Sequence, residues 1–239
     1  MSSNQQNMLE IRELSAGYGD KLVLQGANLS VQRGEIVAVI GRNGVGKTTL
    51  MKAIIGLLKR KSGDIRFEGQ DIGELAPHHR ARLGIGYIPQ GREVFPRMSV
   101  RKNLKVGEML APRGEQPDYE RVYGFFPILR ERATQRAGTL SGGQQQQLAI
   151  GRALIGNPKL MLLDEPSEGI QPSIVKEIAH HIRTLNAKFG VTVLFVEQNL
   201  DMIMSMAERC YVMDKGRIVG ELHPEQLHDR EIVRRTLAV

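Results

Sequence analysis

The stretch that most constrains this chain is Gly41-Arg42-Asn43-Gly44-Val45-Gly46-Lys47-Thr48, which lies between the apolar run Ile36-Val37-Ala38-Val39-Ile40 and the amphipathic residues 49–55. It meets G-x-x-x-x-G-K-[ST] at every fixed position and has the strand-before, helix-after context that the pattern requires. The glycines let the backbone curl so that successive N–H groups point inward at a polyphosphate, and the helix start at Lys47 adds partial positive charge. Lys47 is expected to reach the β- and γ-phosphates, the Thr48 hydroxyl to ligate Mg²⁺, and Thr49 to add a phosphate contact. The expectation is an α/β fold that binds a nucleoside triphosphate.

The 239 residues suffice for one α/β core with an inserted subdomain. The net charge of +7 suits nucleic acid, an anionic nucleotide or an anionic membrane face, and equally a solvated basic surface, because no dense Lys/Arg run occurs. Five Tyr, six Phe and no Trp weigh against a stacking platform for single-stranded nucleic acid. Cys210 is the single cysteine, so no intrachain disulfide can form; a buried, reduced thiol is expected. Residues 1–7 lack a charged-then-apolar leader and no apolar run approaches about 18 residues, which predicts a soluble, intracellular chain with a flexible tail over residues 1–8.

Along the chain, Leu9-Glu10-Ile11-Arg12-Glu13-Leu14 alternates as a half-buried strand, and residues 22–31 supply another. Between them, Tyr18 sits in a Gly-flanked segment read as a loop, where it could stack on a base or be a plain turn residue. Residues 61–64 read as a turn into a short strand at 65–67, and residues 77–83 as a brief helix opened by Pro77. The strand at 85–88 stops at Pro89 and delivers Gln90. From 99 to 137 no strand-like run occurs: Ser99 can cap a helix, residues 111–117 form a loop, and 119–129 carry apolar residues at helical spacing. A helical subdomain inserted at about 91–139 is expected. A strong helix follows over 145–155, then the apolar run Leu160-Met161-Leu162-Leu163 ends in Asp164-Glu165, which fits a central parallel strand with chemistry at its C-terminal edge. A helix over 174–188, a buried strand at 191–196 ending in Glu197-Gln198, a helix over 200–207, a hairpin around Lys215-Gly216 and a closing helix over 224–237 complete the reading.

The phosphate loop, Gln90 after a strand, Leu140-Ser141-Gly142-Gly143-Gln144 and the run 160–165 occur in an order that resembles the nucleotide-binding subunit of ATP-binding cassette (ABC) transporters. The pentapeptide at 140–144 is the discriminating part. The resemblance covers residue 9 to the C-terminus and implies an α/β P-loop NTPase core with an antiparallel β subdomain and the inserted helical subdomain, in one domain over 9–239. It implies that Asp164 holds Mg²⁺ with Thr48, that Glu165 is the general base toward the attacking water, and that Gln90 senses Mg²⁺ and that water. It places Tyr18 on the adenine and residues 41–48 around the phosphates. It also has Ser141, Gly142, Gly143 and Gln144 close on the ATP of a facing subunit, with residues 167–172 as the dimer-contact loop.

The same resemblance implies ATP and Mg²⁺ as cofactors and transmembrane permease subunits as partners, docked near residues 91–97. A second ABC ATPase subunit, alike or sister, and indirectly a periplasmic solute-binding protein complete the set, with no nucleic acid. The place is the inner face of the bacterial cytoplasmic membrane. One departure stands out: where most of the family has a histidine toward the γ-phosphate, this chain reads Val196-Glu197-Gln198-Asn199. Gln198 can donate a hydrogen bond but carries no proton at neutral pH. A glutamine there is similar to importers for branched-chain amino acids and urea, and residues 41–48, 89–95, 140–154 and 165–172 look most like the urea-importer second ATPase. An exporter ATPase for lipid or polysaccharide, or a soluble ABC ATPase on ribosomes or DNA, are the rival functions.

Overall fold

The computed structural model describes residues 7–111, 116–223, 226 and 228–237. Its centre is a six-stranded sheet in the order β10-β9-β3-β8-β7-β6. The strands are β3 (Ile36–Ile40), β6 (Ile85–Ile88), β7 (Leu160–Asp164), β8 (Thr192–Glu197), β9 (Arg209–Asp214) and β10 (Arg217–Leu222). All pair in parallel except β10, which turns back on β9 as a hairpin. Every residue of β3, β7 and β8 is buried, which explains their near-continuous apolar sequences.

The alternation of a pleated strand divides these side chains between two cores. Ile36, Ala38, Ile40, Met161, Leu163, Val193 and Phe195 face one, with the helices α6 (Gly142–Ile155) and α7 (Pro172–Phe189). Val37, Val39, Leu160, Leu162, Leu194 and Val196 face the other, where Leu50, Met51 and Ile54 of α1 (Lys47–Ile55) meet a second, antiparallel sheet. That sheet runs β2-β1-β4-β5, from β1 (Asn7–Tyr18), β2 (Lys21–Gln32), β4 (Arg60–Phe67) and β5 (Gln70–Asp71). The cassette architecture read from the motifs is the one observed, with both the parallel core and the antiparallel subdomain.

Several local expectations differ from the structure. Asn7 and Met8 belong to β1 and Met8 is buried, so the strand begins inside the segment assigned to a tail; residues 1–6 lie outside the described residues. Gly17 and Tyr18 are not loop residues but the end of β1, where Tyr18 pairs with Lys21 across a two-residue turn. Residues 61–64, read as a turn, are strand, part of β4 and paired with β1 through register shifts between Arg12 and Ser15 and between Ser15 and Ala16; such bulges hide the period-two pattern. The single helix expected over 119–129 is two, α4 (Tyr119–Phe125) and α5 (Pro127–Glu131). Pro127 forces Phe126 out of helical angles, to φ −129° and ψ 73°. The closing helix is described as α9 (Arg230–Leu237), while the expected start at Pro224 lies outside the described residues.

Between β6 and α6 the described residues hold only helices and turns, save an isolated bridge between Ser99 and Arg136. Ser99 caps α3 (Val100–Gly107) by accepting from the Lys102 N–H. The short helices α2 (Pro77–Arg82) and α8 (Leu200–Met206) complete the set.

Candidate functional site

Strands β3, β7 and β8 are neighbours, so their C-terminal ends bring Gly41, Asp164 and Glu197 to one edge of the sheet. Past β3 the chain curls through the phosphate loop. Gly41 has φ 156° and Gly46 φ 115°, and a Cβ at position 41 would lie 2.3 Å from the Met213 carbonyl oxygen. The loop is tied from outside by the β9–β10 turn, whose Gly216 N–H donates to the Val45 carbonyl at 2.8 Å, and by the β1–β2 hairpin, whose Gln25 N–H donates to the Gly216 carbonyl at 2.9 Å. Val23, Gly44, Gly46, Lys47, Thr48, Thr49 and Glu165 line a cavity of about 130 Å³.

Two chains of side-chain contacts run from the residues that line this cavity. In the first, the buried Lys47 Nζ donates to the carbonyls of Gly41 at 2.8 Å and Arg42 at 3.0 Å, and stands 3.6 Å from Glu165 Oε1. Gln90 Nε2 donates to the other oxygen, Glu165 Oε2, at 3.2 Å. Glu165 itself is held at φ 47°, a left-handed conformation for a side-chain-bearing residue, by its N–H donating to the Val196 carbonyl at 3.0 Å. In the second, the Thr48 hydroxyl donates to Asp164 Oδ1 at 3.0 Å and the Tyr87 hydroxyl to Oδ2 at 3.2 Å. Burial pushes the Asp164 carboxyl above the usual carboxylate range, partly offset by these two donors.

The donor set fits Mg²⁺ rather than a soft metal: a hydroxyl, a buried carboxylate and the carboxamide oxygen of Gln90 are all hard oxygens. Among the described residues no three His, Cys, Asp or Glu side chains cluster as a metal cage. A cation here would therefore share its coordination with phosphate oxygens, as Mg²⁺ does at nucleotide sites.

Other expected site residues stand apart. Tyr18 is half exposed at the tip of the hairpin that brings Val23 to the cavity. Arg42 and Asn43 lie on the outer turn of the loop, exposed. Ser141, Gly143 and Gln144 line a different cavity of about 240 Å³ with Ile174 and Glu177. There Ser141 Oγ accepts from the Gln144 N–H at 3.3 Å and Gln144 Oε1 from the Ser141 N–H at 3.1 Å, a complete capping box. The amides of Gly142 and Gly143 are then among the first-turn donors that a helix start leaves without intrahelical partners. None of the residues of this helix start lines the cavity at the phosphate loop.

Sequence reasoning missed four side chains here. Tyr87 braces Asp164. Arg92 Nη2 donates to the carbonyls of Glu168 at 2.7 Å and Gly169 at 3.2 Å, joining the Gln90 loop to residues 167–172. Ser167 donates its hydroxyl to Glu197, which is 1% exposed and also accepts from the Gln198 N–H at 3.3 Å. A buried apolar strand ending in a carboxylate singled out Asp164; the same signal at 192–197 marks Glu197.

Comparison with known proteins gives the family and the fold. The family model described as ABC transporter matches residues 24–168. The chain belongs to the ABC transporter ATPase family. It is 44% identical over 213 residues to the high-affinity branched-chain amino acid transport ATP-binding protein BraG of Pseudomonas aeruginosa, across 89% of this chain and 91% of that one. It is 34% identical over 235 residues to the lipopolysaccharide export system ATP-binding protein LptB of Haemophilus influenzae, across 96% of both chains. Its fold superposes on an ATP-binding cassette of an ABC transporter in an ADP conformation with a TM-score of 0.83 and 31% identity, covering 97% of this chain and 95% of that one. This ABC cassette is thus an ATP-binding, ATP-hydrolysing transporter subunit. Among its described residues no helix is long and apolar enough to cross a membrane.

Proposed function

We propose that this cassette drives an importer for a small polar solute, hydrolysing MgATP between its own phosphate loop and the helix start at Ser141 of a facing subunit. The meeting of Lys47 and Gln90 on the two carboxylate oxygens of Glu165, with the Thr48–Asp164 pair beside Lys47, carries this reading. Residues 41–48 wrap the phosphates, Lys47 neutralises the β- and γ-oxygens, and Tyr18 covers the adenine. Thr48, Asp164 and Gln90 would hold Mg²⁺, which supplies charge neutralisation at the γ-phosphate. Glu165 takes a proton from the attacking water as its oxygen bonds to the γ-phosphorus and the bond to the ADP oxygen breaks. Gln90 orients Glu165 through their hydrogen bond, and Gln198 donates toward the γ-phosphate. Ser141, Gly142, Gly143 and Gln144 complete the site in trans, which makes turnover depend on a dimer, of two copies or with a sister subunit.

The permease surface is a groove of about 470 Å³ lined by Gly86, Glu93, Val94, Phe95, Leu110 and Arg152. Arg152 stacks its guanidinium 5.2 Å over the Phe95 ring and keeps a buried Nη1 without a hydrogen-bond partner among the described residues. An unpaired buried donor is costly, and a carbonyl or carboxylate on a docked permease helix would satisfy it. Docking there places the cassette on the inner face of the cytoplasmic membrane, with selection of solute left to a periplasmic binding protein.

Motif-level likeness favours urea as the solute, whereas 44% identity to a branched-chain amino acid transport ATPase supports branched-chain amino acids. Export in the manner of the lipopolysaccharide-system relative is supported at lower identity. Uptake of radiolabelled urea and leucine in a strain lacking this subunit separates them: loss of one uptake names the solute, and loss of neither refutes import of both. Glu165→Gln is expected to keep ATP binding, abolish hydrolysis and trap a nucleotide-sandwiched dimer; wild-type turnover would remove Glu165 as the base.

A further inference from the structure

Glu197 closes β8 with its carboxylate buried in the site, yet none of the roles above requires it. Its two oxygens are divided between the distant Ser167 loop and the residue that follows Glu197 in the chain. Oε1 accepts from the Ser167 hydroxyl, at the start of the loop toward α7, and Oε2 accepts from the backbone N–H of Gln198 at 3.3 Å. One residue back, the Val196 carbonyl holds the N–H of Glu165 at 3.0 Å. A single strand end thus fixes the backbone of the base, the loop expected to face a second subunit and the residue expected to face the γ-phosphate.

Burying a carboxylate is expensive, and Glu197 has no salt bridge among the described residues, the nearby Lys47 pairing with Glu165 instead. Burial pushes its carboxyl up to about 7, with the Glu165 charge adding to the rise and Lys47 opposing it. Packing alone would be met more cheaply by an apolar residue, as at every other position of β8 except Thr192. What an apolar residue cannot do is accept two hydrogen bonds from two segments at once.

We propose that Glu197 is a positioning residue that couples the Ser167 loop to Gln198, so that contact of residues 167–172 with a second subunit sets Gln198 against the γ-phosphate. The coupling rests on the reading of Glu165 and Gln198 as hydrolytic residues. When the loop is pressed toward the site, the shared carboxylate carries the displacement to the Gln198 backbone. When the loop is released, Gln198 loses its fixed orientation while the phosphate loop, tied to the β9–β10 turn, is undisturbed. Binding and turnover are therefore separable at Glu197.

The test is steady-state ATPase activity of the purified full chain at saturating protein, with Ser167→Ala, Glu197→Ala, Glu197→Gln and the Ser167→Ala/Glu197→Ala pair. Ser167→Ala and Glu197→Ala are each expected to lower kcat about tenfold with KM for ATP within about twofold, and the pair to lose no more than either alone, because both cut the same link. Glu197→Gln keeps an oxygen that can accept from the Gln198 N–H, while its amide can donate to the Ser167 hydroxyl, and it is expected to recover most of kcat. Losses that multiply in the pair, or a wild-type kcat in Ser167→Ala, overturn the coupling. A Glu197→Ala chain that does not fold leaves the decision with Ser167→Ala and Glu197→Gln, where equal losses of kcat/KM through KM alone would show a structural role and also overturn it. Glu165→Gln run beside them separates the two readings: if it turns over normally, the hydrolytic assignment fails, and if it is dead while Ser167→Ala is normal, only the coupling fails.

Discussion

Replacing Glu197 by Gln should change how the stability of this cassette depends on pH, and the size of the change follows from the burial of one carboxyl. The group is raised from an ordinary 4.5 to about 7 by burial, with the Glu165 charge second. A folded-state value above the unfolded one means that the folded protein binds the proton more tightly. The stabilisation is therefore complete below about 4.5 and is lost as pH rises through about 7. A rise of this size corresponds to roughly 3 kcal/mol at about 1.4 kcal/mol per unit. Gln carries the same shape and an acceptor oxygen but no titrating proton. The assay is equilibrium urea denaturation of both proteins without nucleotide, at about pH 5 and about pH 8. Between these values wild type should lose roughly 2.5 kcal/mol relative to Glu197→Gln, somewhat less than the full shift because the lower pH already lies above the ordinary carboxyl value. Parallel stability profiles would refute the reasoning, because they would mean that the carboxyl is as well solvated in the folded chain as in the unfolded one.

Gln198→Ala should slow turnover while ATP binding, followed with a fluorescent analogue, stays near wild type; unchanged turnover would take Gln198 off the γ-phosphate. Lys47→Ala removes the ammonium that spans the phosphate loop and Glu165, and ATP affinity should fall by about 1.5–3 kcal/mol, the range for hydrogen bonds to charged groups. Gly216→Ala adds a Cβ 1.8 Å from the Val23 carbonyl oxygen at a φ of 79°. Left-handed backbone costs about 1–2 kcal/mol and overpacking about 1–3 kcal/mol, so a loss of roughly 2–5 kcal/mol is expected in urea denaturation, with weaker ATP binding as the loop tether shifts.

What could be read without a structure followed from short-range rules. A strand, a glycine-rich turn and a helix start are consecutive in the chain, so the phosphate loop and its use of Lys47 and Thr48 are legible in eight residues. The fully buried strands announced themselves as unbroken apolar runs, because both faces of the central sheet are covered. The capping residue Ser99 and the break before Pro127 obey local chemistry too, although helical spacing hid the break. The Arg60–Phe67 strand was not legible, since its pairing with β1 passes through register shifts that erase the period of two.

Tertiary structure decided which distant residues meet. Thr48 and Asp164 are 116 positions apart and Gln90 and Glu165 are 75 apart, and no periodicity links them; the order β3-β8-β7-β6 does, by placing their strand ends side by side. Ser141 and Gln144 line a cavity separate from the one at the phosphate loop, although their peptide most marks the family in the sequence. The fold also buried Glu197 between Ser167 and Gln198, where a residue that the sequence marks only as the end of a strand becomes a buried carboxyl that accepts from both. Composition and local pattern carry the identity of the groups, whereas their desolvation and mutual distance arise only when the strands are stacked, because both depend on neighbours that the chain order does not contain.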